Sequence, residues 1–96
     1  MIITVHIGKK RRLQMAFDEQ WFDRGIEEGA RYLIVACDTF SYDDYPVFVK
    51  ENENFYKKYD ELDGKNMQKI MEVYDLKMDK ETQLNEQRAH HQPLRR

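Results

Sequence analysis

The period of hydrophobic positions changes several times along this chain of 96 residues, and each change marks an expected element. Residues 2–7, IITVHI, alternate Ile3, Val5 and Ile7 with Thr4 and His6, the mark of a strand. From Met15 the pattern turns helical. Phe17, Trp21, Phe22 and Ile26 share one face, Asp18 and Glu19 lie near the positive N-terminal end, and Gly29 supplies a stop. Gly25 inside this helix costs about 1 kcal/mol relative to alanine, so a close packing contact is expected there. Residues 32–37, YLIVAC, form a continuous apolar run that is too short for a helix and predicts a strand covered on both faces. A second strand over residues 45–49 contains Pro46, which places it at a sheet edge or starts it at the proline. The two make an antiparallel hairpin whose loop spans residues 38–44.

The C-terminal half reads as helical. Phe55, Tyr59 and Leu62 form one stripe, Asp63-Gly64 breaks it, and Met67, Ile70, Met71 and Tyr74 form a second. Asp79 is placed to cap a last helix over KETQLNEQRAHH, anchored by Leu84 and Ala89. The end, QPLRR, reads as frayed. The expected fold is a small α+β two-layer domain: an N-terminal helix, an antiparallel β-hairpin with a possible third N-terminal strand, then two or three C-terminal helices on one sheet face. Residues 15–91 form the domain and 92–96 a flexible tail. Residues 1–14 have two readings. Lys9, Lys10, Arg11 and Arg12 fit purine-rich codons such as precede a bacterial start, which makes Met15 a candidate start and residues 1–14 a leader. Alternatively, IITVHI is a genuine strand beside the central one.

Composition narrows the function classes. Hydrophobic residues at 41% and charged residues at 35% fit a folded single domain, with 12% aromatics available to a thin core or an interface. Sixteen basic against 18 acidic residues leave a net charge of −2, which argues against general attraction to nucleic acid. Cys37 is the only cysteine, so no intrachain disulfide can form, and a reducing cytoplasm is the expected setting. No apolar stretch approaches the roughly 18 residues of a membrane span, so no membrane partner is expected.

Candidate chemistry collects in the hairpin loop: Asp38, Thr39, Phe40, Ser41, Tyr42, Asp43, Asp44 and Tyr45. Asp38, Asp43 and Asp44 could hold Mg²⁺ through oxygen ligands in a hydrolase or nuclease. They come from one loop, however, and Asp, Ser and Thr also form turns by bonding their own backbone. The hydroxyls and aromatic faces of Thr39, Ser41, Tyr42 and Tyr45 suit a small polar ligand or a partner protein's backbone. The loop is therefore assigned as a ligand- or partner-binding site, with no catalytic residue, metal ligand or cofactor. Cys37 lacks any spacing to a base such as His90 or His91 and reads as a buried thiol. His90 and His91 are adjacent, so on a helix they diverge by about 100° and cannot share one metal. The basic run Lys9–Arg12 lacks the interleaved aromatics of a nucleic-acid site. The methionine-rich stripe and the sparsely anchored last helix point to self-association as a dimer.

GARYLIVACDTFSYDDYPVFV and NMQKIMEVYDL together carry a resemblance. The strand ending in Cys-Asp-Thr-Phe, the aromatic-acidic pair before Tyr-Pro, the methionine-rich segment and LNEQRAHH resemble a group of small proteins carried by bacteriophages and prophages. It spans about residues 25–91, and no activity is attached to it. It implies cytoplasmic expression in an infected bacterium and an accessory role. The expected function is that of a small non-enzymatic binding protein that modulates a host process through residues 38–45. The alternatives are a metal-dependent hydrolase and a purely structural oligomerisation subunit.

Overall fold

The computed structural model describes residues 12–95. The readings of residues 2–7 as a strand and of residues 1–11 as part of a leader lie outside that range. The element order is α1 (Arg12–Glu27), β1 (Tyr32–Asp38), β2 (Asp43–Val49), α2 (Phe55–Leu62), β3 (Gln68–Asp75) and α3 (Lys80–Leu84).

Helix α1 begins upstream of Met15 and ends as expected. Gly29 takes φ +78°, Gly29 N–H donates to Ile26 O, and Ala30 N–H donates to Gly25 O, which closes the last turn. Its inward stripe differs from the one expected. Asp18, Phe22 and Gly25 are buried, whereas Phe17 and Ile26 are exposed. The close contact at Gly25 is present: a Cβ there would lie 2.7 Å from Leu76 Cδ1 and 3.0 Å from Phe48 Cε1. Glycine thus lets the helix approach the sheet more closely than any other residue would.

The sheet order is β2-β1-β3, antiparallel throughout. Central β1 is buried from Leu33 to Cys37, as an apolar run with cover on both faces requires. β2 is an edge strand and carries Pro46 opposite Val35, a position that tolerates a residue without an amide donor. It begins at Asp43, ahead of the proline, and leaves only residues 39–42 outside the pairing. The place beside β1 that the sequence offers to IITVHI is held by β3.

β3 overturns the helix expected over Met67–Tyr74. The register with β1 shifts between Val35 and Ala36: Val35 faces Glu72 while Ala36 faces Ile70, and Met71 is the extra residue. Across the bulge, Ile70 and Val73 contribute to one core cluster while Tyr74 joins the other with Met71 packed on it. A bulge spaces same-face residues three apart, which imitates helical spacing.

Helices cover both sheet faces, so the α+β class stands while the single helical layer gives way to one on each side. Phe22 of α1 and Leu84 of α3 join Leu33, Val35, Tyr74, Leu76 and Ala89 in one cluster. Phe55 of α2 joins Ile34, Val49 and Val73 in the other, with Tyr32, Tyr56, Tyr59 and Leu62 packed against it. The last helix is shorter than expected. Asp79 does cap it, accepting from Thr82 N–H at 2.8 Å, but α3 stops at Leu84, and a parallel bridge joins His90 to Val73. Leu84 and Ala89 are both buried, as anchors should be.

Candidate functional site

The β1–β2 turn stands at one end of the sheet. Asp38 builds it from within, because its carboxylate accepts Phe40 N–H at 2.8 Å and Ser41 N–H at 3.3 Å. Tyr42 N–H donates to Asp38 O at 2.6 Å, and Tyr42 takes the left-handed φ of 63°. Part of the acidic signal is therefore turn chemistry. The backbone so formed turns two aromatic side chains outward: Phe40 and Tyr42 are each 77% exposed.

A second loop, between α2 and β3, completes this end. Thr39 N–H donates to Met67 O at 2.8 Å. Asn66 and Met67 adopt φ of 53° and 59°, and Met67 is 57% exposed. Every left-handed non-glycine residue among those described (Tyr42, Asn66 and Met67) therefore belongs to the two loops at this end. Such backbone is tolerated only where the surroundings hold it, and it concentrates at ligand clamps and switch regions. Sequence reasoning missed Asn66 and Met67, because residues 67–74 read as one helix. Gly64 just upstream marked a turn but not its partner loop.

The remaining residues of the expected site diverge across the two faces. Asp44 faces Cys37 across the ladder, with Lys69 on the other side. Burial first, then the neighbouring Asp44 carboxylate, pushes the Cys37 thiol above its ordinary range, which opposes thiolate formation. Tyr45 lies beside Ala36, and its phenol donates to Gln68 Oε1, with burial raising its pKa. Asp43 is exposed at the start of β2, opposite Asp38. Phe40, Ser41, Tyr42 and Asp43 thus form an exposed rim, while Asp38, Thr39 and Tyr45 hold the loops together.

Asp38, Asp43 and Asp44 do not converge on a cation. Among the described residues no group of three or more His, Cys, Asp or Glu side chains is arranged to hold a metal ion. His90 and His91 also stand apart from Cys37: His90 bridges Val73 in the row of Ile34, and His91 Nε2 lies 2.8 Å from Glu86 Oε1.

A buried polar group lies away from the loops. Tyr74 Oη is 2.8 Å from Asp18 Oδ2 and 3.1 Å from Glu72 Oε1, and Glu72 Oε2 accepts Ala89 N–H at 3.3 Å. Asp18 and Tyr74 are fully enclosed, and Glu72 nearly so. Burial, then the carboxylates of Glu72 and Asp18, raises the Tyr74 pKa far above its ordinary value. Enclosed in this way, the group joins α1, β3 and residue 89 and presents no surface to a substrate.

No family model, curated protein or solved structure matches the chain. Among the described residues no helix is long and apolar enough to cross a membrane.

Proposed function

We propose that this is a small non-enzymatic binding protein of bacteriophage or prophage type that modulates a host process in the bacterial cytoplasm by holding a partner protein at the paired-loop end of its sheet. One observation carries the reading: Phe40, Tyr42 and Met67 are all strongly exposed on left-handed, hydrogen-bonded loops. A backbone fixed in advance leaves only side-chain rotamers to be ordered on binding, which lowers the cost of recognition through exposed apolar groups. In this reading Phe40, Tyr42 and Met67 supply contact area. Ser41 and Asp43 supply polar contacts at the rim, and Asp38, Thr39 and Tyr45 keep the loops in place.

The test is affinity capture from bacterial lysate by the natural protein and by a Phe40→Ser, Tyr42→Ser, Met67→Ser variant. All three positions are exposed, so the variant should fold normally, which circular dichroism checks. A host protein retained in stoichiometric amount by the natural chain and lost by the variant supports the reading. Equal recovery by both proteins rules out this surface.

A further inference from the structure

The C-terminal segment lies in a groove that has the parts of a peptide site. Ala89–His91 adds to the open edge of β3: Val73 N–H donates to Ala89 O and His91 N–H donates to Val73 O, both at 2.9 Å. The chain then crosses α2, where the Tyr56 hydroxyl donates to Pro93 O. The Arg95 guanidinium lies 4.0 Å over the Tyr56 ring and forks onto Asp60, with Nη2 at 2.9 Å from Oδ1 and Nη1 at 3.2 Å from Oδ2. Backbone pairing, an aromatic wall and a two-pronged carboxylate are how extended peptides are held when they add to a sheet.

The resident segment fits this groove imperfectly. Gln92 Oε1 is buried with no hydrogen-bond partner among the described residues, and Leu94 is 90% exposed. A buried acceptor without a donor is a cost that another residue at this position would not carry. The strand pairing is a single parallel bridge, in contrast to the long antiparallel ladders beside it.

We infer that the groove formed by the β3 edge, Tyr56 and Asp60 is a binding site for an extended, arginine-bearing peptide segment of a partner protein, and that residues 89–95 occupy it in cis until such a segment replaces them. The site is separate from the paired loops and does not depend on their role. Tethered to its own groove, the resident segment competes at a high effective concentration. A free peptide should therefore bind the natural protein poorly and a variant with a loosened segment well.

The experiment uses the full chain and a synthetic peptide, RAHHQPLR, followed by amide chemical shifts and by fluorescence anisotropy. Arg95→Glu breaks the fork at an exposed position. A second variant adds His91→Pro, which removes the amide donated to Val73 O, in case the strand half stays seated. At least one loosened protein should bind the peptide at least tenfold more tightly than the natural protein, with shifts confined to residues 55–62 and 72–74. Adding Asp60→Ala, which removes the carboxylate without offering the glutamate at position 95 a cation, should abolish that binding. A concentration-dependent dimer of a loosened protein that the peptide dissociates would also support the groove, with the segment of a second copy as ligand. If neither variant gives shifts at these amides with millimolar peptide, or if Asp60→Ala leaves binding unchanged, the inference fails.

Discussion

Where Tyr32 pairs with Val49 and Asp75, the sheet is closed by side chains that stand in for missing strands, whereas at the Asp38 end it is left open. At the closed end, Gln83 acts as a surrogate backbone: its Oε1 accepts Asp75 N–H and its Nε2 donates to Asp75 O, both at 2.8 Å. Arg31 Nη2 lies 3.0 Å from Asp75 Oδ2, its guanidinium stacks over the Tyr32 ring, and Leu76 N–H returns to Arg31 O. At the open end, the hydrogen bonds of Asp38 and Thr39 are spent on shaping loops, and the large side chains are turned outward. One end is built for stability; the other retains left-handed backbone and exposed aromatics, an arrangement that stability alone does not favour.

This contrast predicts a graded set of effects. Gln83→Ala leaves a buried N–H and a buried carbonyl unpaired and is expected to cost about 2–4 kcal/mol in urea unfolding. A loss under 1 kcal/mol would mean that the closed end does not depend on this side chain.

Alkali probes the interior beneath the same strands. The unfolded phenol of Tyr74 ionises near its ordinary value of 10.0, while the folded one stays protonated to much higher pH. Above that pH the unfolded state releases a proton that the folded state keeps. The Tyr74 contribution is therefore complete below pH 10 and falls as pH rises, at about 1.4 kcal/mol per pH unit. Denaturation midpoints measured between pH 9 and 11 should show this decline in the natural protein and in Phe40→Ser, and a shallower one in Tyr74→Phe.

At the open end the expected effects on stability are small and those on binding large. Tyr42 adopts φ 63°, which glycine accepts without steric strain, so Tyr42→Gly should stabilise by roughly 0.5 kcal/mol while weakening partner capture. Phe40→Ser should change stability by less than about 0.5 kcal/mol, because the ring touches little, and should still reduce capture. Thermal melts run beside the capture assay separate the two readouts. If Phe40→Ser destabilised the protein as much as Gln83→Ala, the distinction between the two ends would be lost.

Features set by local chemistry could be read from residues alone. The apolar run Tyr32–Cys37 is the covered central strand, Pro46 lies on an edge strand, Gly29 ends α1, Gly25 marks a close approach and Asp79 caps α3. Each depends on a few neighbouring atoms: a missing amide, a missing Cβ, or an oxygen near a free N–H. The hairpin that carries the candidate site was legible for the same reason, and so was the double meaning of Asp38 as turn former and acid.

Only the tertiary structure decided the rest. Met67–Tyr74 carries a spacing that suits a helix, yet all of it after Met67 lies in the strand Gln68–Asp75, because β1 has a free side to satisfy and a bulge at Met71 realigns the side chains. That pairing brings Met67 to Thr39 and so creates the second half of the open end. The inward face of α1 was likewise fixed from outside, since Tyr74 draws Asp18 beneath the helix while Phe17 and Ile26 turn outward. Strand pairing and buried polar contacts join residues far apart in sequence. Their energies belong to the pair, and a pattern read along one segment does not contain them.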